Sequence, residues 1–134
     1  MNEFIMITIM FIAGLLSSMS IWVDKIQDIH ITLNDCYMSI LMIGWTYLLI
    51  GIYEKNVKMS FISFLLVVIM FVFIRLQLFI NTWQYISGMI THHSMGVFMS
   101  RKILEKNPNE KIQQIAKNII SSQEKEKELL NRSY

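Results

Sequence analysis

Residues 84–99 read QYISGMITHHSMGVFM, and this stretch decides how the chain divides. It holds the adjacent His92 and His93, two of the three histidines in the protein, with Met89, Met95 and Met99 at helical spacing around them. Upstream the chain is apolar and nearly uncharged; downstream it is charged and amphipathic. A chain of 134 residues has room for about one domain. The stretch therefore marks a junction between a membrane part and a polar part, and no second globular core is expected.

Composition supports the same division. The hydrophobic share is 54% and the mean hydropathy +0.44, and the apolar residues are concentrated ahead of the histidines. A net charge of +2, with basic and acidic residues interspersed, provides no basic stripe for nucleic acid. The single cysteine, Cys36, rules out an internal disulfide and a cysteine-based zinc site. Most of the 11 methionines are explained as fillers of apolar helices.

Three spans are predicted before the histidines. Residues 4–23 (FIMITIMFIAGLLSSMSIWV) carry no charge and are long enough for a hydrocarbon core of about 30 Å. A signal peptide is the competing reading, but no basic segment precedes the run and no small-x-small cleavage site follows it. A short acidic loop with His30 leads to the second span, 36–53, where Trp45, Tyr47 and Tyr53 are candidate interfacial or packing aromatics. After a polar turn, 59–80 forms the third span, interrupted only by Arg75 and Gln77. No Gly or Pro occurs between Met59 and Ser87, so this helix is expected to continue as one rod to about Glu105. Arg75, roughly 24 Å along it, would reach the far interface and snorkel there. A transport or proton-relay role using the intramembrane polar residues Arg75 and Gln77 with the histidines is a further alternative, and would need a homo-oligomer to enclose a pathway. Lys55 and Lys58 lie in the second loop, against Lys25 and three aspartates in the first. The positive-inside rule then puts the N-terminus in the cytoplasm and the C-terminal part outside.

A new helix is predicted at Asn107-Pro108, with Asn107 as N-cap and Pro108 in the first turn, running to about Asn131. Ile112, Ile115, Ala116, Ile119, Ile120 and Leu130 recur at three- and four-residue spacing and mark a buried stripe. A short connection between helices makes them antiparallel. The fold expected is all-α: a membrane domain over 1–80 and a helical hairpin over 81–134.

At about 100° per residue, Met89, His92, Met95, Gly96 and Met99 share one side of the first hairpin helix, and His93 points a quarter-turn away. On the returning helix Gln123 and Glu126 fall within the stripe of Ile112, Ile119 and Leu130, while Glu124 and Glu128 point out. Burying such polar groups unpaired costs several kcal/mol, so the imidazoles are their natural partners. Two readings stay open. In one, imidazoles and thioethers bind a transition metal: Cu(I) with sulfur, or Cu(II) or Zn with the histidines and Glu126. In the other, the His-His/Gln/Glu cluster fixes the register of the hairpin or a partner interface. No Gly-rich phosphate loop and no GxSxG elbow are present, so no enzymatic activity is expected.

The run from Gln84 to Ile103, followed by IQQIAKNIISSQEKEKELL, resembles the domain of unknown function 305 family. Met89-Ile90, His92-His93, Gly96, Met99, Ile119-Ile120, Gln123 and Glu126 match that family's pattern, and variants with N-terminal transmembrane helices are similar upstream. The resemblance implies a ferritin-like helical bundle and, for extracytoplasmic members, copper binding or metal homeostasis. The implied ligands are Met89, His92, His93, Met95 and Met99, with Gln123 and Glu126 in support. Thr91 stands where the family has proline. Asn81 or Thr82 stands where it has an acid, and membrane spans replace the other bundle helices.

Overall fold

The computed structural model describes residues 3–133, which form five α-helices and no strand. They are α1 (Glu3–Leu16), α2 (Leu33–Tyr53), α3 (Val57–Leu76), α4 (Thr82–Glu105) and α5 (Glu110–Arg132). Two short 3-10 turns, Met19–Trp22 and Ile26–Asp28, lie between α1 and α2. The chain forms two compact units. One is made of residues 3–18 and Leu33–Ile80, the other of Met19–Thr32 and residues 81–133.

The first unit contains α1, α2 and α3. Three segments are long and apolar enough to cross a membrane: Glu3–Trp22, Leu33–Tyr53 and Val57–Leu76. The first is not the single helix expected over 4–23, since α1 ends at Leu16 and Met19–Trp22 is a 3-10 turn of the second unit. Small residues set their spacing. A Cβ on Gly51 would lie 2.9 Å from the backbone nitrogen of Ser60, and one on Gly14 would lie 2.8 Å from the Ser39 Cβ. Backbones come this close only where a side chain is absent, the usual packing device of apolar helices. Lys55, at φ 56°, turns the chain between α2 and α3, and the Asn56 side chain caps α3 by accepting from Met59 N at 3.1 Å. Outward positions such as Phe61, Ile62 and Phe71 are well exposed, as a lipid-facing surface would be.

The unbroken rod expected from 59 to about 105 is not formed; α3 stops at Leu76 and α4 starts at Thr82. Gln77 and Phe79 take left-handed backbone angles, φ 48° and 60°, without being glycine. Such a residue costs roughly 1–2 kcal/mol, and local bonds offset it. Leu78 N donates to Phe73 O and Gln77 N to Ile74 O, closing the helix end. The amides of Gln77 and Asn34 pair reciprocally at 3.3 Å, and the Tyr37 hydroxyl donates to Leu78 O at 2.8 Å. Asn81 then caps α4, accepting from Gln84 N at 2.9 Å.

The second unit contains the α4–α5 hairpin and the connection 19–32, which sequence placed with the membrane part. The turn between α4 and α5 also differs from expectation. Asn107 adopts φ 50° past the end of α4, and the cap of α5 is Asn109, whose side chain accepts from Ile112 N at 3.0 Å. Gln113 secures the turn by donating to Pro108 O at 2.8 Å. The inward side of α5 is Ala116, Ile120, Gln123, Lys127 and Leu130, with Ala116 and Lys127 buried. Ile112, Ile115 and Ile119, expected inside, are exposed.

Candidate functional site

Three segments meet in the interior of the second unit. On α4, Ser87, Thr91 and Ser94 form a row of small polar residues that are almost entirely buried. Their size lets the connection 19–32 lie directly on the helix. The Ser94 hydroxyl accepts from Asp24 N at 2.9 Å and donates to Asp28 Oδ2 at 2.7 Å. The Thr91 hydroxyl accepts from His30 N at 3.2 Å and donates to Asp28 O at 2.8 Å. From α5, Lys127 Nζ donates to the same Asp28 oxygen at 2.6 Å. Side-chain exposures of 7% for Lys127 and 5% for Asp28 make this a desolvated ion pair. Such groups are almost never buried unless paired. Nearer the edge, Arg101 bridges Asp24 at 3.3 Å and Glu124 at 2.8 Å.

A second polar cluster lies between α4 and α5. His93 is buried at 8% exposure, whereas His92 is exposed. The Nδ1 atom of His93 is 3.4 Å from Oε2 of Glu126 and makes no hydrogen bond. Burial holds the His93 imidazole below its ordinary pKa; the Glu126 carboxylate pulls the other way, and His92 and Lys127 add to the lowering. It is thus a neutral imidazole beside a carboxylate rather than half of an ion pair. One turn along each helix, Gln123 lies across Gly96, so closely that a Cβ there would overlap its amide. The Gln123 Oε1 atom is buried without a hydrogen-bond partner.

Of the sequence-predicted residues, His93, Gln123 and Glu126 come together. His92 and Met99 are exposed, the latter at 54%, and Met89 and Met95 are half-buried. The shared face assigned to His92, Met95 and Met99 is therefore not the buried one; the helix is turned so that His93 is inside. Glu124, expected to point away, is held by Arg101. Arg75 is exposed in the last turn of α3 and Gln77 caps it. Asp28, Lys127 and Ser94 were missed. The signal for Lys127 was its place in the 116, 120, 123, 127, 130 spacing, which a lysine disguises.

Among the described residues, no three His, Cys, Asp or Glu side chains gather closely enough to hold a metal ion. Of the thioether-bearing set, Met99 and His92 are exposed and Met89 and Met95 half-buried, so they do not share the buried position of His93. The imidazole nitrogen of His93 and the carboxylate of the half-exposed Glu126 face one another, while the Gln123 amide lies a turn away against Gly96.

The family model for Domain of unknown function (DUF305) matches residues 82–134. An uncharacterized protein of Acanthamoeba polyphaga mimivirus is 40% identical over 127 residues, 91% of this chain and 84% of that protein. The chain belongs to the DUF305 family. The match begins where α4 begins, so the DUF305 region is the hairpin with both polar clusters' helical sides. Asp28, the acid that completes the buried pair, lies outside the DUF305 match and comes from the connection between α1 and α2. No solved structure matches the chain.

Proposed function

We propose that this DUF305 chain is a membrane-anchored, non-catalytic metal-binding protein. Three apolar helices hold it in a lipid bilayer, and a small helical head binds a transition-metal ion beside His93. The observation that carries the metal reading is the buried His93 imidazole. It is neutral, its Nδ1 lacks a hydrogen bond, and Glu126 Oε2 stands 3.4 Å away. A buried polar atom left unpaired costs on the order of 1–3 kcal/mol, and a coordinated cation would offset that cost. His93, Glu126 and Gln123 favour Cu(II) or Zn over Cu(I), with remaining positions open to water or a further ligand. A metal bound there would serve in metal handling or homeostasis.

Chain connectivity supports the anchor. Three crossings put the first connection and everything after the third span on one side, and those segments are the ones that pack together. The lysine bias between the loops favours a cytoplasmic N-terminus and an extracytoplasmic head.

The test is metal content of the full chain purified in detergent and loaded with Cu(II) or Zn, compared with His93→Ala and Glu126→Gln. One ion per chain in the wild type and none in His93→Ala is expected; equal content would end the reading. Retention in carbonate-washed membranes tests the anchor separately. A structural or assembly role is the second reading, favoured by the buried Asp28–Lys127 pair, which joins the segments without any ligand. It predicts that His93→Ala alters stability or oligomeric state while metal binds neither protein.

A further inference from the structure

Away from both polar clusters, α4, α5 and the connection 19–32 enclose an apolar groove of about 680 Å³. Trp22 and Phe98 form one end, their rings edge-on with centroids 6.4 Å apart. Ala116 is the buried floor, and Ile103, Ile115 and Ile119 stand along the sides with more than a third of their surface exposed. Lys102 and Lys106 line the rim, and Lys102 Nζ sits 6.0 Å from the Phe98 ring centroid while bonded to Glu105. An open, mainly apolar recess of this size on a small head is a candidate binding surface.

Its position in the chain indicates what fills it. Trp22 is the last residue of the apolar stretch Glu3–Trp22. If that stretch crosses a bilayer, Trp22 lies at the interface, where tryptophan is favoured and acyl chains join their headgroups. The rim lysines have aliphatic stems that extend the apolar wall. The Lys102 ammonium is paired with Glu105, which also lines the groove, and the Lys106 ammonium is the one placed to draw a phosphate diester. We infer that the groove is a phospholipid site, holding one acyl chain against Phe98, Ile103, Ile115 and Ile119 with the phosphate at Lys106. The inference rests on the membrane anchor proposed above and is independent of the metal.

The experiment uses the full chain in nanodiscs with Trp45→Phe and Trp83→Phe, leaving Trp22 as the reporter, and phosphatidylcholine or phosphatidylglycerol brominated on the acyl chain as quencher. The expected result is quenching of Trp22 that Ile115→Glu largely abolishes. Lys106→Gln should raise the brominated fraction needed for half-quenching by about five-fold, as for loss of one lysine near an anionic group. Ile119→Gln reads the same groove should Ile115→Glu not fold. Quenching that neither groove variant changes, with either lipid, would overturn the site in favour of bulk lipid. Protection of Trp22 from both lipids in a chain that runs as a dimer would overturn it in favour of a second copy. Release of the chain by carbonate would refute the anchor, whereas Ile115→Glu-sensitive quenching on vesicles would still uphold the groove.

Discussion

Asp28 and Lys127, 99 residues apart in the chain, meet as a buried ion pair at 2.6 Å. The contact ties the connection after α1 to the last helix of the protein, with Ser94 of α4 on the same carboxylate oxygen. Its value lies less in net stability than in what its absence would leave behind. Removing one partner strands the other charge in a desolvated interior, which typically costs about 3–5 kcal/mol, whereas replacing both with apolar residues is often neutral. Lys127→Met and Asp28→Leu are each expected to be strongly destabilising, and the double variant is expected to recover most of the loss. Unfolding of the three variants in detergent, followed by ellipticity, checks this.

Ser94 and Arg101 hold the same connection from α4. Ser94→Ala removes an acceptor for Asp24 N and a donor to Asp28, at a cost of about 1–3 kcal/mol for groups left unpaired. Arg101 is half-exposed, and its pairs with Asp24 and Glu124 are expected to contribute about 1 kcal/mol or less. The exposed Lys25 lies inside the connection 19–32. Tryptic cleavage after Lys25 should therefore accelerate more in Ser94→Ala than in Arg101→Ala, and the Arg101 effect should shrink in high salt.

Two glycines permit a contrast. At Gly51 a new Cβ would meet the backbone of Ser60, which cannot move aside, so Gly51→Ala is expected to cost about 1–3 kcal/mol through overpacking. At Gly96 the obstacle is the flexible end of the Gln123 side chain. There the gain of about 1 kcal/mol in helix propensity offsets the displacement. Gly96→Ala should thus be nearly neutral in thermal unfolding while lowering metal affinity by moving Gln123.

His93 makes stability depend on pH. Its folded-state pKa lies below the ordinary 6.5 because burial disfavours the charged ring. The unfolded chain then binds the proton more readily. The contribution is complete above pH 6.5 and declines as the pH falls through the depressed native value. Denaturation midpoints at a series of pH values from 8 to 5 are expected to fall on the acid side in the wild type. His93→Gln should flatten that fall, and His92→Gln, which removes only a minor contributor to the His93 shift, should lessen it slightly.

The composition and periodicity of the sequence were enough for the all-helical class, the three span-length apolar segments and the hairpin with its antiparallel return. Each depends on local pattern, run length or a short connection, which a linear reading contains. Three features were decided only by tertiary structure. The helix break between Leu76 and Thr82 uses left-handed Gln77 and Phe79, stabilised by Asn34 and Tyr37 on another helix, so no glycine or proline announces it. Helical phase located His92 and His93 a quarter-turn apart, but which of them is buried depends on how α4 presents itself to α5 and to the connection 19–32. The sequence likewise contains Asp28 and Lys127 without any sign that they pair. A charge enters an interior only when its partner is already in place, and that partner comes from the far end of the chain.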